Sequence, residues 1–297
     1  MRKTTIITLN NLTNRNEVFE KHKDDILNLA HKLVKEIVEV PVKVIINVVD
    51  ECDKSWKTNI ESTSAEVSYI GYDTFRINIS IDSLEKDDGG LSTVSSLLHE
   101  FGHIADRMRF KQSKIQFLRD VEKNPRTYEH FLRNVGYDFW TEFSAYKVMF
   151  INFKEVEYAT FLEVVKQFES FLEKRDKVIP VMDDGNDHDD ELRDYCESAE
   201  IFVYSIAKYM AAQFYGKTKY YTYAEKTMNK DSFQFVDDLM YKISKRIPSM
   251  MNEKYGLRKA YAITSLGYSL IENFYRKFNM DGGKKDGIFY FAVYPDE

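Results

Sequence analysis

The segment His99-Glu100-Phe101-Gly102-His103 sets two imidazoles four residues apart, with a carboxylate beside the first. On a helix, residues four apart lie one turn above each other on the same face, so the two rings can grip one metal ion. Zinc suits such donors: it takes histidine nitrogens at about 2.0–2.1 Å, and a catalytic site adds a third protein ligand and an open position for water. Glu100 can reach that water as a general base. Histidine is scarce in this chain, six in 297 residues, so the pair is not a by-product of a histidine-rich composition.

The elements around the motif are those needed to position it. Val94, Leu97, Leu98, Phe101, Ile104, Ala105 and Met108 form one apolar stripe, which predicts a helix with His99 and His103 on its other side. Ser92 or Thr93 is the expected cap of its start. Upstream, apolar residues at Ile26, Leu29, Leu33 and Ile37 predict a helix over about 17–39 that Pro41 closes. Val42–Val49 is a β-branched run and Ala65–Ile70 a second strand candidate. Phe75, Ile77, Ile79 and Ile81 alternate with polar residues, the period of a half-buried strand, and Asp87–Gly90 reads as a loop. A further helix is expected after Gly136, with Asp138 as its cap. Beyond residue 150 the spacing predicts helices over Phe161–Glu173, Ala199–Tyr215, Ser232–Lys245 and Tyr261–Phe278, and a short extended segment over Ile288–Tyr294. The expected fold class is therefore α+β: a mixed part over 1–150 with a small sheet and the motif helix, then a mainly helical part over 151–297.

The run Leu97-Leu98-His99-Glu100-Phe101-Gly102-His103-Ile104-Ala105-Asp106 and the alternating strand before it resemble the zincin superfamily of metallopeptidases, over about residues 17–150. The resemblance implies a zincin-like first part whose strand Thr74–Ile81 borders the cleft, with a bound peptide lying antiparallel to it. It also implies hydrolysis of peptide bonds by one zinc ion held by His99 and His103, with Glu100 as the base. The metzincin extension of the motif is missing, since Asp106 and Arg109 stand at its glycine and ligand places. Gluzincins instead take a glutamate from a downstream helix, and Trp140-Thr141-Glu142-Phe143-Ser144-Ala145-Tyr146 looks like that segment. Glu142 is then the third ligand, and Ala145 and Gly102 are the small residues that let the two helices approach. Tyr146, one turn beyond Glu142, is the candidate donor to the developing oxyanion. Asp106, three residues after His103 on the same helical face, is a rival third ligand and better suits a hydrogen bond to a ligand imidazole. Glu197, Glu200 and His130 are rival ligands.

Composition bounds the alternatives. A net charge of -6 and the lack of a dense Lys/Arg cluster argue against a nucleic-acid partner. No apolar run approaches membrane-spanning length, and the apolar stretch before Asn10 is too short for a signal peptide, so a cytoplasmic protein acting on peptide or protein substrates is expected. Cys52 and Cys196 form no Cys-x-x-Cys pair, which argues against a thiolate zinc site and fits a reducing compartment. The acidic stretch Asp183–Glu191 lacks the glycine placement of an EF-hand and reads as a solvated loop. The main functional alternative is a zinc-holding regulatory or interaction protein that does not cleave peptides, and a second is a helical interaction protein with an incidental motif.

Overall fold

The structure, a computed structural model of the chain, describes residues 4–52, 65–71, 73–86, 90–113, 125–152, 159–178, 189–215, 218–219, 229–285 and 288–293. It is α+β and divides into two compact units, residues 1–109 with 144–157 and residues 110–143 with 158–297.

The first unit is built on a four-stranded sheet. In chain order come β1 (Ile6–Asn11), α1 (Asn16–Leu33), β2 (Lys43–Val49), β3 (Ala65–Tyr69), β4 (Thr74–Ser80) and α2 (Leu91–Gln112). The spatial order is β1-β2-β4-β3. β1, β2 and β4 run parallel, with Ile6 opposite Lys43 and Lys43 opposite Thr74, while β3 is antiparallel to β4, with Ala65 opposite Ile79. Two parallel neighbours need a crossover between them, and α1 supplies it from β1 to β2. Alternation along the central strands sorts their side chains: Val44, Ile46, Val48, Phe75, Ile77 and Ile79 are fully buried. With Ile26, Ala30 and Leu33 of α1 and Leu97, Phe101, Ile104 and Ala105 of α2, they make the apolar core of this unit.

The first helix ends as a π-turn, Val34–Val38, closed by Glu39 in the left-handed region at φ 61°. Arg109 of α2 donates to the carbonyl of Ile37 in that turn at 3.4 Å, so the widened helix end has a partner for one of its backbone acceptors.

Several expectations need correction. β1 escapes the sequence reading, in which Ile6–Leu9 was weighed only as a leader segment. β4 does not border an open edge: β2 and β3 take both of its sides. β1 and β3, at the two ends of the order, each pair on one side only among the described residues. Ser92 and Thr93 do not cap α2, which starts at Leu91; their hydroxyls donate instead to the carbonyl of Ser83, at 3.3 and 3.0 Å. Of the expected loop Asp87–Gly90, residues 87–89 lie outside the described residues, as do residues 183–188 of the acidic stretch.

The second unit is mainly helical. Helix α3 (Tyr128–Asn152) contributes its first part here and its last part to the first unit. β5 (Ala159–Thr160), α4 (Phe161–Val178), α5 (Asp189–Phe214), β6 (Thr218–Lys219), α6 (Lys230–Ser244), α7 (Ile247–Asn252), α8 (Leu257–Asn273) and the hairpin β7–β8 (Met280–Lys285, Ile288–Val293) follow. Its core is aromatic: Phe171 stacks on Tyr195 at 5.2 Å, and Phe202 meets Phe274 at 4.9 Å between centroids. Gly136 does not start a helix, as expected from sequence, but lies inside α3. A Cβ at Gly136 would fall 2.1 Å from the carbonyl oxygen of Ile263, and one at Gly267 would fall 1.7 Å from that of Leu132. The two glycines let α3 and α8 cross backbone against backbone, which offsets the helix propensity each one costs.

Candidate metal centre

His99 and His103 stand one turn apart on α2, as a helical His-x-x-x-His pair must. Their Nε2 atoms face each other at 3.0 Å, and the two rings meet edge-on with centroids 4.6 Å apart. Among the described residues one group of side chains could share a metal ion: His99, Glu100 and His103, whose ligand atoms lie within 4.8 Å of one another. His103 and Glu100 are buried, at 6% and 7% exposure, and His99 is half-buried.

This donor set fits zinc. Two nitrogens each about 2.0–2.1 Å from one ion in tetrahedral geometry stand about 3.3 Å apart, close to the observed 3.0 Å between the Nε2 atoms. Two converging imidazoles and a carboxylate are the nitrogen and oxygen chemistry that zinc accepts.

Tyr146, expected from spacing alone, is also here. Its ring lies 4.4 Å from that of His99, tilted by 56°, and it also stacks with Phe150 at 6.2 Å. It therefore restricts the orientation of the His99 ring. The segment that carries it is brought close by small residues. A Cβ at Gly102 would stand 2.7 Å from the Cα of Ala145, so the expected close approach at these two positions is present.

Glu142, the expected third ligand, is not in the cluster of metal-capable groups. It belongs to the second unit, where it is buried at 8% exposure. There the Tyr204 hydroxyl is pushed well above its ordinary range, first by burial and then by the charges of Asp138, Glu200 and Glu142. The rival ligands Glu197, Glu200 and His130 also lie outside the cluster and in the second unit.

Asp106 is almost fully buried, at 1% exposure. It helps hold the proton on Lys147, whose amine is lowered by burial first and by Arg109 second. That places Asp106 among the charges between α2 and the end of α3, on the Gly102 side of the motif helix.

Two residues have a place near the motif that the sequence does not assign them. Arg107, four positions after His103, continues the same helical face, and its guanidinium lies over the Tyr69 ring of β3, 4.0 Å from the centroid. The edge strand is thus fastened to the face of α2 that carries the histidines. Cys52 is buried at 5% exposure; burial, then the charges of Glu66 and Glu100, push its thiol up to about 12. The i+4 continuation from His103 was the signal available for Arg107; for Cys52 there was none.

With this geometry in view, comparison with family models, characterised proteins and solved structures returns no match. No described helix is long and apolar enough to cross a membrane.

Proposed function

We propose that the protein is a zinc-dependent metallopeptidase, with one zinc ion held by His99, His103 and, as the resemblance assigns it, Glu142. The observation that carries this reading is the pair of Nε2 atoms 3.0 Å apart on one helix with the Glu100 carboxylate inside the same cluster. A zinc ion so held supplies Lewis acidity toward the scissile carbonyl and lowers the pKa of water toward about 7. Glu100 takes the proton of the attacking water and passes it to the leaving amine; its burial keeps competing solvent away from that transfer. Tyr146 donates to the oxyanion that develops on the carbonyl, and its ring packing orients His99. The substrate is an extended peptide that adds to the edge of β3 left unpaired among the described residues, through backbone hydrogen bonds of the kind any strand can offer.

A zinc-holding protein without peptidase activity is the second reading. It requires the histidines but not Glu100, which makes the two separable. Purified protein is analysed for metal, then wild type and Glu100→Gln are tested on a peptide library. The expected result is about one zinc per chain in both proteins, with cleavage reduced in the variant by a factor on the order of 100 to 10,000. Zinc-free protein after gentle purification, with no zinc taken up on addition, overturns the metal site. Equal cleavage by both proteins removes Glu100 as the base.

A further inference from the structure

The first unit's sheet carries a side-chain feature that the metal centre does not use. Asn10, Asn47, Asn78 and Glu66 stand at one register position across all four strands. Asn10 donates to Asn47 at 3.0 Å, Asn47 to Asn78 at 3.1 Å, and Asn78 to Oε1 of Glu66 at 2.8 Å. The amides form one directional row that ends on a carboxylate at β3, whose far side is unpaired among the described residues. Asn47, in the middle of the row, is buried at 8% exposure, which favours a single arrangement because an unmade bond there is costly. Glu66 is therefore held in a fixed place on the edge strand.

The strand runs beside the motif helix, where Arg107, one helical turn past His103, packs on Tyr69 of β3 at 4.0 Å. Tyr69 lies opposite Phe75 and Glu66 opposite Asn78, so the two side chains stand on opposite faces of the sheet. Burial raises the thiol of Cys52 first, and the charges of Glu66 and Glu100 both add to it.

We infer that Glu66 is a specificity-determining residue, which selects an extended peptide carrying a lysine or arginine beside it along β3. The inference rests on the proposed metallopeptidase reading for why a peptide should lie there. In an added strand the residue directly opposite Glu66 has its Cβ about 4.5–5.5 Å away, on the same face of the sheet. A carboxylate has about four acceptor sites, and Asn78 occupies one. A basic side chain across the edge then meets a charge already held in position, so little ordering is left to oppose the pair. A charged residue on an open edge also deters chance association of sheets, but that role does not discriminate between peptides by charge.

The test uses the zinc-loaded full chain and acetylated nonapeptide pools in which Lys, Ala or Glu is fixed at each position in turn. Cleavage is measured with wild type, Glu66→Gln and Glu66→Lys. Binding of fluorescein-labelled versions of the same pools is measured on the Glu100→Gln background, with and without each Glu66 change. Gln can still accept from Asn78, and circular dichroism verifies the fold of each variant. The expected result is a preference for Lys over Ala of about two- to fivefold at one position, lost in Glu66→Gln and turned toward Glu in Glu66→Lys, in both binding and cleavage. Cleavage without a basic preference, or with one that both variants retain, overturns the inference and leaves the metallopeptidase reading standing. Charge-selective binding that follows Glu66 in a protein that cleaves nothing keeps the inference and overturns the reading. Failure to bind any pool overturns the inference.

Discussion

Gly102 of α2 and Ala145 of α3 touch backbone to backbone, with the site of a Gly102 Cβ only 2.7 Å from the Ala145 Cα. No side chain fits between them, and the contact lies within the motif itself, between Glu100 and His103. Gly102→Ala is expected to push the two segments apart by a few tenths of an ångström or more, at a cost of about 1–3 kcal/mol. Because Tyr146 is next to Ala145, the His99–Tyr146 packing should loosen as well. Urea unfolding measures the first effect and zinc affinity the second; a stability equal to wild type is incompatible with the contact as described.

Tyr146 has two separable contributions. Tyr146→Phe keeps the ring against His99 and removes only the hydroxyl, so cleavage should fall about 100- to 1,000-fold with zinc affinity unchanged. Tyr146→Leu should in addition weaken zinc binding, by about tenfold. If the Phe variant cleaves as well as wild type, Tyr146 only orients His99.

Glu142 is tested by metal affinity, not by activity alone. Glu142→Gln should bind zinc at least tenfold more weakly, as loss of an anionic ligand requires, while the helical content seen by circular dichroism stays constant. Unchanged affinity would assign the third position to another group, and Asp106 is the next candidate by position on α2.

The crossing of α3 and α8 makes a stronger prediction about stability. A methyl at Gly267 has a backbone carbonyl oxygen 1.7 Å away, with no flexible side chain to yield. Gly267→Ala should destabilise by about 3 kcal/mol or fail to fold. An exposed substitution on the same helix, Tyr261→Ala, should change stability by less than about 0.5 kcal/mol. Thermal melts of the two variants give the comparison.

Cys52 should be inert in the folded protein. With its thiol pushed up to about 12, the thiolate fraction at pH 8 is on the order of one in ten thousand, against about a tenth for an ordinary cysteine. The sign follows from the raised value: the folded state holds the proton more tightly than the unfolded state does. This contribution to stability is constant below about pH 9 and is lost as pH rises toward 12. Labelling by a disulfide reagent at pH 8 should therefore be slow in buffer and fast in denaturant; equal rates would contradict the burial.

What was legible in the sequence was local. The apolar stripe from Val94 to Met108 placed the motif helix, and the four-residue spacing put His99 and His103 on one face. The close approach of two helices at Gly102 and Ala145 was implied by the resemblance. The misreadings depended on partners far along the chain. Gly136 resembles a helix start until Gly267, 131 positions later, is set against it. The alternation of β4 marks a half-buried strand, with Arg76 and Asn78 on its less buried side, but the peptide pairing implied for it by resemblance depends on its neighbours and not on its own residues. β1, Ile-Ile-Thr-Leu-Asn-Asn, has few apolar residues and no buried alternation of its own, so it does not stand out before its parallel pairing with β2 is known. Glu142 is a third kind of case, an expectation carried by resemblance, which metal binding will decide.

The row of amides across the sheet has a sense of direction, and its origin is at one end. Glu66 in its ionised form can only accept, so Asn78 must turn its NH₂ toward it; Asn47 must then turn the same way, and so must Asn10. Reversing one amide alone would set donor against donor on one side and acceptor against acceptor on the other. The orientation of Asn10 is thus dictated by a carboxylate three strands away, about 14 Å at ordinary strand spacing. Placing a lysine at position 66 would ask for the opposite orientation at every step. The whole row would have to rotate together, so a single change at one margin of the sheet would rewrite which atom Asn10 presents at the other.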